Sequence, residues 1–169
     1  MTMVINRLTN IEVDYINKSL SENRGMDNFE YENLKLKHPY AIMRDDNALI
    51  LSSMKHYGMH DKPFNEYIIK KFGKPEYEID FFYELLYNEG NYTTPHKDKY
   101  FVLQTTLILL SDEFTGGKLL INKKDINFNK TGMYVNFDGN RQEHEVTKIE
   151  SGQRRVLVIM FNKKRTSLI

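Results

Sequence analysis

Two hydrophobic periods divide this chain: apolar residues recur at helical intervals up to about residue 72, and in short runs separated by Gly, Asn, Asp and Lys from residue 77 onward. In residues 9–24, Ile11, Tyr15, Ile16 and Leu20 fall at helical spacing, with Thr9-Asn10 and Glu12 as an N-terminal cap and Gly25 as a stop. Residues 26–45 are mixed; His38-Pro39 breaks any helix there, and a short strand fits near residues 40–43. A second helix is predicted over residues 47–57, with Ala48, Leu51 and Met54 on one face. A third is predicted over residues 64–72, ending at Gly73 with Lys70 and Lys71 in its last turn. Beyond it, residues 77–87, 101–110, 118–121, 133–137 and 154–161 are rich in aromatic or β-branched side chains and read as strands. Residues 107–110 and 156–161 are apolar on both faces, as strands covered on both sides must be. Helices followed by many short strands predict an α+β fold, with helices bracing a β-sandwich or barrel.

Composition narrows the picture. With 169 residues, the expectation is one domain, residues 1–75 mainly helical support and residues 76–169 a β-core that carries the active site. An apolar content of 40% and an aromatic content of 12% suit a packed core and argue against disorder. The net charge of +1 provides no general field for nucleic acid or anionic lipid, so neither partner is expected. Without cysteine, no disulfide and no thiolate metal site can form. The longest apolar run is too short to span a bilayer, and the N-terminus lacks a signal-peptide pattern, so a cytoplasmic location is expected.

The candidate chemistry lies in residues 87–161. His96 and Asp98 are two apart, so in an extended segment both point to one face while Lys97 points away. Such a pair alone is common by chance. His144 follows 46 residues after Asp98, far enough for intervening strands to return it to the first pair. Two imidazoles and one carboxylate leave half of an octahedral ion open, the arrangement of non-haem Fe(II) oxygenases. Arg154 stands ten residues after His144, where the last apolar strand begins. A guanidinium aimed into a core needs an anion, and its planar fork matches a carboxylate. His56 and His60 have Gly58 between them and no third ligand, and read as surface histidines; His38 has no visible partner. Gly116-Gly117 reads as a tight turn rather than a phosphate loop, since no Lys-Ser/Thr follows.

Residues 84–162 resemble the Fe(II)/2-oxoglutarate-dependent dioxygenases, in particular the prolyl 4-hydroxylase-like and bacterial PKHD-type hydroxylases. The resemblance is carried by Tyr87-Asn88-Glu89-Gly90, Pro95-His96-Lys97-Asp98, the run Thr105 to Asp112, Gly116-Gly117-Lys118-Leu119, His144-Glu145-Val146-Thr147, and Ser151-Gly152-Gln153-Arg154-Arg155-Val156. It implies a double-stranded β-helix (jelly-roll), with Fe(II) held by His96, Asp98 and His144. Arg154 would grip the distal carboxylate of 2-oxoglutarate, with O2 as second cosubstrate. Arg155 competes for that role, and the ten-residue spacing from His144 favours Arg154. Many relatives have a tyrosine where Leu109 and Leu110 stand here; Tyr87, Thr106 or Tyr134 could replace its hydroxyl, and Tyr87 matches a site-facing tyrosine in the prolyl hydroxylases. Lys118 also departs from the family, which often has an acidic residue there. Tyr92 is equally a lining residue of the substrate mouth or a tyrosine packed on its loop. The activity implied is hydroxylation of a peptide or protein side chain, with proline the leading target and succinate and CO2 released. Alternatives are the same chemistry on a nucleobase or small metabolite, a cupin-like zinc or manganese enzyme, and a non-catalytic binding module.

Overall fold

The computed structural model describes residues 3–22, 53–56 and 62–165. In chain order these form β1 (Val4–Arg7), α1 (Asn10–Glu22), β2 (Ser53–His56), α2 (Lys62–Phe72), β3 (Tyr77–Tyr87), β4 (Thr93–His96) and β5 (Gln104–Leu109). They continue with β6 (Phe114–Gly116), β7 (Leu119–Ile121), β8 (Lys124–Asp125), β9 (Met133–Phe137), β10 (His144–Val146), β11 (Ile149–Gly152) and β12 (Arg154–Lys163). The strands make a six-stranded sheet in the order β1-β9-β5-β12-β3-β2, a four-stranded sheet β4-β10-β7-β8, and the pair β11-β6. Every recorded pairing is antiparallel.

Helix α1 starts where the cap residues require. The Thr9 backbone N–H donates to Glu12 Oε1 at 3.1 Å, and the Glu12 N–H donates to Thr9 Oγ1 at 3.2 Å, a reciprocal capping box. Leu8 and Val13, on either side of the box, are buried in the same cluster, as in a hydrophobic staple. The inward stripe is Val13, Ile16 and Leu20, while Ile11 and Tyr15 remain exposed. Helix α2 buries Phe64, Ile68 and Phe72 at four-residue steps and closes with the Gly73 N–H on the Ile69 carbonyl at 2.9 Å. Each of those three side chains contributes about 1.5–3 kcal/mol of burial. The two helices are joined by Lys71 Nζ to Glu12 Oε2 at 2.8 Å.

The six-stranded sheet is apolar on both faces for the reason its sequence suggests. Leu157, Ile159 and Phe161 of β12 face the helices with Ile108 and Leu110, whereas Val156, Val158 and Met160 join the second cluster with Leu107, Leu109 and Leu119. That second cluster includes residues of both large sheets and forms the interior in which the site is built.

The helix predicted over residues 47–57 needs correction. Residues 53–56, inside the helix predicted over 47–57, are a strand that pairs with Leu86 to Tyr83 of β3. A sheet edge offered by β3 outweighs a weak helical preference there. Residues 4–7 form an edge strand on β9 that the periodicity did not mark. The strand expected near residues 40–43 lies outside the described residues. No described helix is long and apolar enough to cross a membrane.

Candidate metal centre

β4 and β10 are antiparallel neighbours, and their register sets His96 directly opposite His144. The imidazole centroids are 4.2 Å apart. Just beyond β4, the Asp98 N–H donates to the Gly139 carbonyl at 2.7 Å, tying the segment to the turn after β9. Asp98 Oδ1 then lies 3.5 Å from His144 Nε2 and 3.9 Å from His96 Nε2. The three side chains can each offer one ligand atom, all within 4.8 Å of one another, and they form such a group among the described residues. The tight packing of a β-ladder thus joins residues 48 positions apart in sequence.

Hydrogen bonding selects the tautomer that a cation needs. His96 Nδ1 is 2.8 Å from the Thr94 carbonyl, and His144 Nδ1 is 2.9 Å from the Gln142 carbonyl. A carbonyl only accepts, so each Nδ1 carries the proton and each Nε2 keeps its lone pair for a metal. Thr105 donates its hydroxyl to Asp98 Oδ2, and the Phe137 and His144 rings meet nearly at right angles with centroids 4.9 Å apart. A donor set of two imidazoles and one carboxylate is of the kind that suits Fe(II).

A narrow cavity, open to solvent in part, connects this group with Arg154. Its walls include Tyr83, Leu85, Leu107, Leu119, Val156 and Val158. Arg154 is 0% exposed, and none of its three guanidinium nitrogens has a hydrogen-bond partner among the described residues. Its guanidinium carbon lies 5.1 Å from the Tyr87 ring centroid and 6.0 Å from that of Phe128. These aromatic faces offset a small part of the desolvation cost. Burial holds the Arg154 pKa below its usual value, with the nearby Tyr87 opposing the shift. Burial likewise pushes the Tyr87 phenol up, against the opposing effects of Arg154 and of the Thr93 hydroxyl 2.7 Å away. Arg155 points to the other face, where it pairs with Glu84 and donates to Asn17 Oδ1 at 3.2 Å. One step along a strand reverses the face, and that step separates the two arginines.

The same alternation sorts the candidate hydroxyls. Tyr87 lines the cavity. Thr106 lies on the outer face, accepting from Gln104 Nε2 at 2.9 Å and donating to Asn136 Oδ1 at 2.8 Å, and Tyr134 packs on Phe72 of α2. Neither lines the cavity; Thr105, one residue away, does. Tyr92 is half-buried and is not part of the cavity wall. Sequence reasoning passed over Thr93, Thr105, Phe128 and Gly139. The alternation of Thr105 with the apolar Leu107 and Leu109 is the signal that could have marked Thr105 as inward.

Gly117 (φ +58°) follows β6, and its Cα sits where an added Cβ would come within 3.2 Å of Arg154 Cδ. The glycine pair therefore acts as a turn and also lets the backbone close over the buried arginine.

No protein-family model matches the sequence, and no curated protein matches it. Solved structures do. An oxidoreductase of the 2OG-Fe(II) oxygenase family from Burkholderia pseudomallei aligns with TM-score 0.62 and 12% identity, covering 96% of this chain and 84% of that one. The viral collagen prolyl hydroxylase of Paramecium Bursaria Chlorella virus-1, in its 2OG complex, aligns with TM-score 0.61 and 15% identity, covering 98% and 97%. A Trichoplax adhaerens prolyl hydroxylase, in complex with a hypoxia inducible factor peptide fragment, aligns with TM-score 0.61 and 13% identity over 95% and 83%. Similarity in shape along nearly the whole chain, at such low identity, is a statement about architecture: this protein has the double-stranded β-helix fold of the 2OG-Fe(II) oxygenases.

Proposed function

We propose that the chain is an Fe(II)- and 2-oxoglutarate-dependent dioxygenase that hydroxylates a peptide or protein side chain, with proline the leading target. The observation that carries this reading is Arg154: a fully buried guanidinium without a hydrogen-bonding partner among the described residues, lining the same cavity as His96, Asp98 and His144. Burying an unpaired charge is costly, and a fold keeps one where an anion arrives to complete it. A dicarboxylate would offer one anionic end to Arg154 and the other to a cation at the histidine pair.

In this reading His96 Nε2, Asp98 Oδ1 and His144 Nε2 hold the iron. Arg154 clasps the far carboxylate of 2-oxoglutarate, and Tyr87 is the hydroxyl that assists it. The aliphatic walls keep water from the methylene portion of the cosubstrate and lower the local dielectric, which strengthens the Arg154–carboxylate pair. When bound, the iron supplies the redox chemistry that couples decarboxylation of 2-oxoglutarate by O2 to hydroxylation of the substrate, leaving succinate and CO2. The protein contributes ligands, orientation and a sheltered cavity.

The peptide assignment rests on the architecture shared with prolyl hydroxylases, one of them solved with a peptide. Fold likeness does not fix a substrate, and proline is proposed on that analogy. We further propose residues 92–95 and 136–142 as borders of the substrate groove, Tyr92 included, and a cytoplasmic location for this cysteine-free chain. The test is anaerobic titration with Fe(II) and 2-oxoglutarate, followed by O2-dependent succinate release in the presence of proline-containing peptides. Peptide-stimulated succinate is the expected outcome. Tight 2-oxoglutarate binding with no stimulation by any peptide would move the substrate to the metabolite class.

A further inference from the structure

The two oxygens of Asp98 have different surroundings. Oδ1 faces the histidine nitrogens, at 3.5 and 3.9 Å, whereas Oδ2 receives the Thr105 hydroxyl. Thr105 is 1% exposed and lies on the inward row of β5 with Leu107 and Leu109, both aliphatic. A hydroxyl in an apolar row is costly to bury without an acceptor, and here the acceptor is a carboxylate. On its remaining side the carboxylate meets the backbone of Gly139. An added Cβ on Gly139 would overlap both Asp98 Oδ2 and Thr105 Oγ1, and the Gly139 carbonyl accepts the Asp98 N–H.

We propose that Thr105 is a positioning residue for the metal centre: by holding Oδ2 against the Gly139 backbone, it makes Asp98 present a single oxygen to the cation. A carboxylate with both oxygens free can chelate one ion through both or swing between them. With Oδ2 engaged, Asp98 would offer one oxygen to a cation, beside one nitrogen from each histidine, and such a three-donor set would leave room for exogenous ligands. Thr106, the adjacent hydroxyl, cannot serve, since it bonds to Asn136 on the far face of the sheet. This inference rests on the metal reading above, and its test separates the two.

Metal-free full-length chain is titrated with Mn(II) and with Co(II), in the absence of 2-oxoglutarate, for the wild type and for Thr105→Val, Thr105→Ser and His96→Ala. Outer-sphere partners of metal ligands contribute about 10- to 100-fold in affinity. Thr105→Val should therefore weaken Mn(II) binding by about that factor and alter the visible d–d spectrum of bound Co(II). Thr105→Ser, which retains the donor, should restore both. Thermal melting of the metal-free variants establishes that each is folded, and Thr105→Ala replaces Thr105→Val if valine prevents folding. Wild-type Mn(II) affinity and an unaltered Co(II) spectrum in the hydroxyl-free variant, alongside lost binding in His96→Ala, overturn the positioning role and leave the metal centre standing. Undiminished Mn(II) binding in His96→Ala overturns the metal centre itself and the proposal with it.

Discussion

His96 and His144 are direct cross-strand partners on β4 and β10, with ring planes inclined at 56° and both Nδ1 atoms turned to backbone carbonyls. The ladder fixes their separation, and the carbonyls place a proton on each Nδ1. Asp98 is the third member of the group that could hold a metal ion among the described residues.

Substitution of any one of these three should therefore be decisive. For His96→Ala, Asp98→Ala or His144→Ala, Mn(II) affinity should fall by about 100-fold or more, because an inner ligand contributes at least what outer-sphere partners do. Succinate release should drop to background. Turnover retained by one variant would remove that residue from the ligand set.

Arg154 couples function to stability in opposite directions. Arg154→Met fills the site with an apolar side chain and removes a buried, unpaired charge, so the metal-free chain should become more stable by about 1–4 kcal/mol, read as a higher melting temperature. The same variant should lose 2-oxoglutarate affinity by about 100-fold, the size of a lost buried ionic contact. Arg155→Ala should do the reverse: cosubstrate affinity unchanged, stability lower by about 1 kcal/mol through loss of the Glu84 contact on the outer face. If both variants bind 2-oxoglutarate like the wild type, the anchor is another group.

Tyr87→Phe separates the hydroxyl from the ring. The ring packs near Arg154, and the hydroxyl bonds to Thr93 at 2.7 Å. Removing the hydroxyl should lower 2-oxoglutarate affinity by about 5- to 10-fold, the size of one hydrogen bond, and leave Mn(II) binding untouched. Isothermal titration with each ligand distinguishes the two effects.

The contact between the helices predicts how stability varies with pH. Lys71 and the Thr9 backbone hold the Glu12 carboxyl below its usual pKa, so its stabilisation is present above the unfolded value of about 4.3 and is lost as pH falls through the folded value. Lys71 is shifted upward by its bond to Glu12, and burial pushes the Tyr67 phenol up to about 12. Both contribute stability that is fully present below about pH 10 and is lost as pH rises through their folded values. Melting temperature should decline at both limbs, and Glu12→Gln should flatten each. Parallel profiles for wild type and variant would mean that the clip carries no linkage.

Much of the β-core was legible locally. Residues 77–87 and 133–137 form strands with the predicted bounds, because aromatic and β-branched runs between polar turns leave few alternatives. The helix at Thr9-Asn10 was legible for a similar reason: its capping box is written within four residues. Strands β1, β2, β4, β10 and β11 have three or four residues each, too short to show a period. They exist because a neighbouring strand supplies their hydrogen bonds, which is information from elsewhere in the chain.

Residue types and spacing by themselves determined the ligand candidates His96, Asp98 and His144 and the choice between an arginine at 154 and one at 155 as a question worth asking. Tertiary structure decided which arginine faces the cavity and which of Thr105 and Thr106 meets Asp98, and it turned Tyr134 and Thr106 toward the helices. A strand reverses face at every residue, so these outcomes depend on register, and register is set by the partners across the sheet.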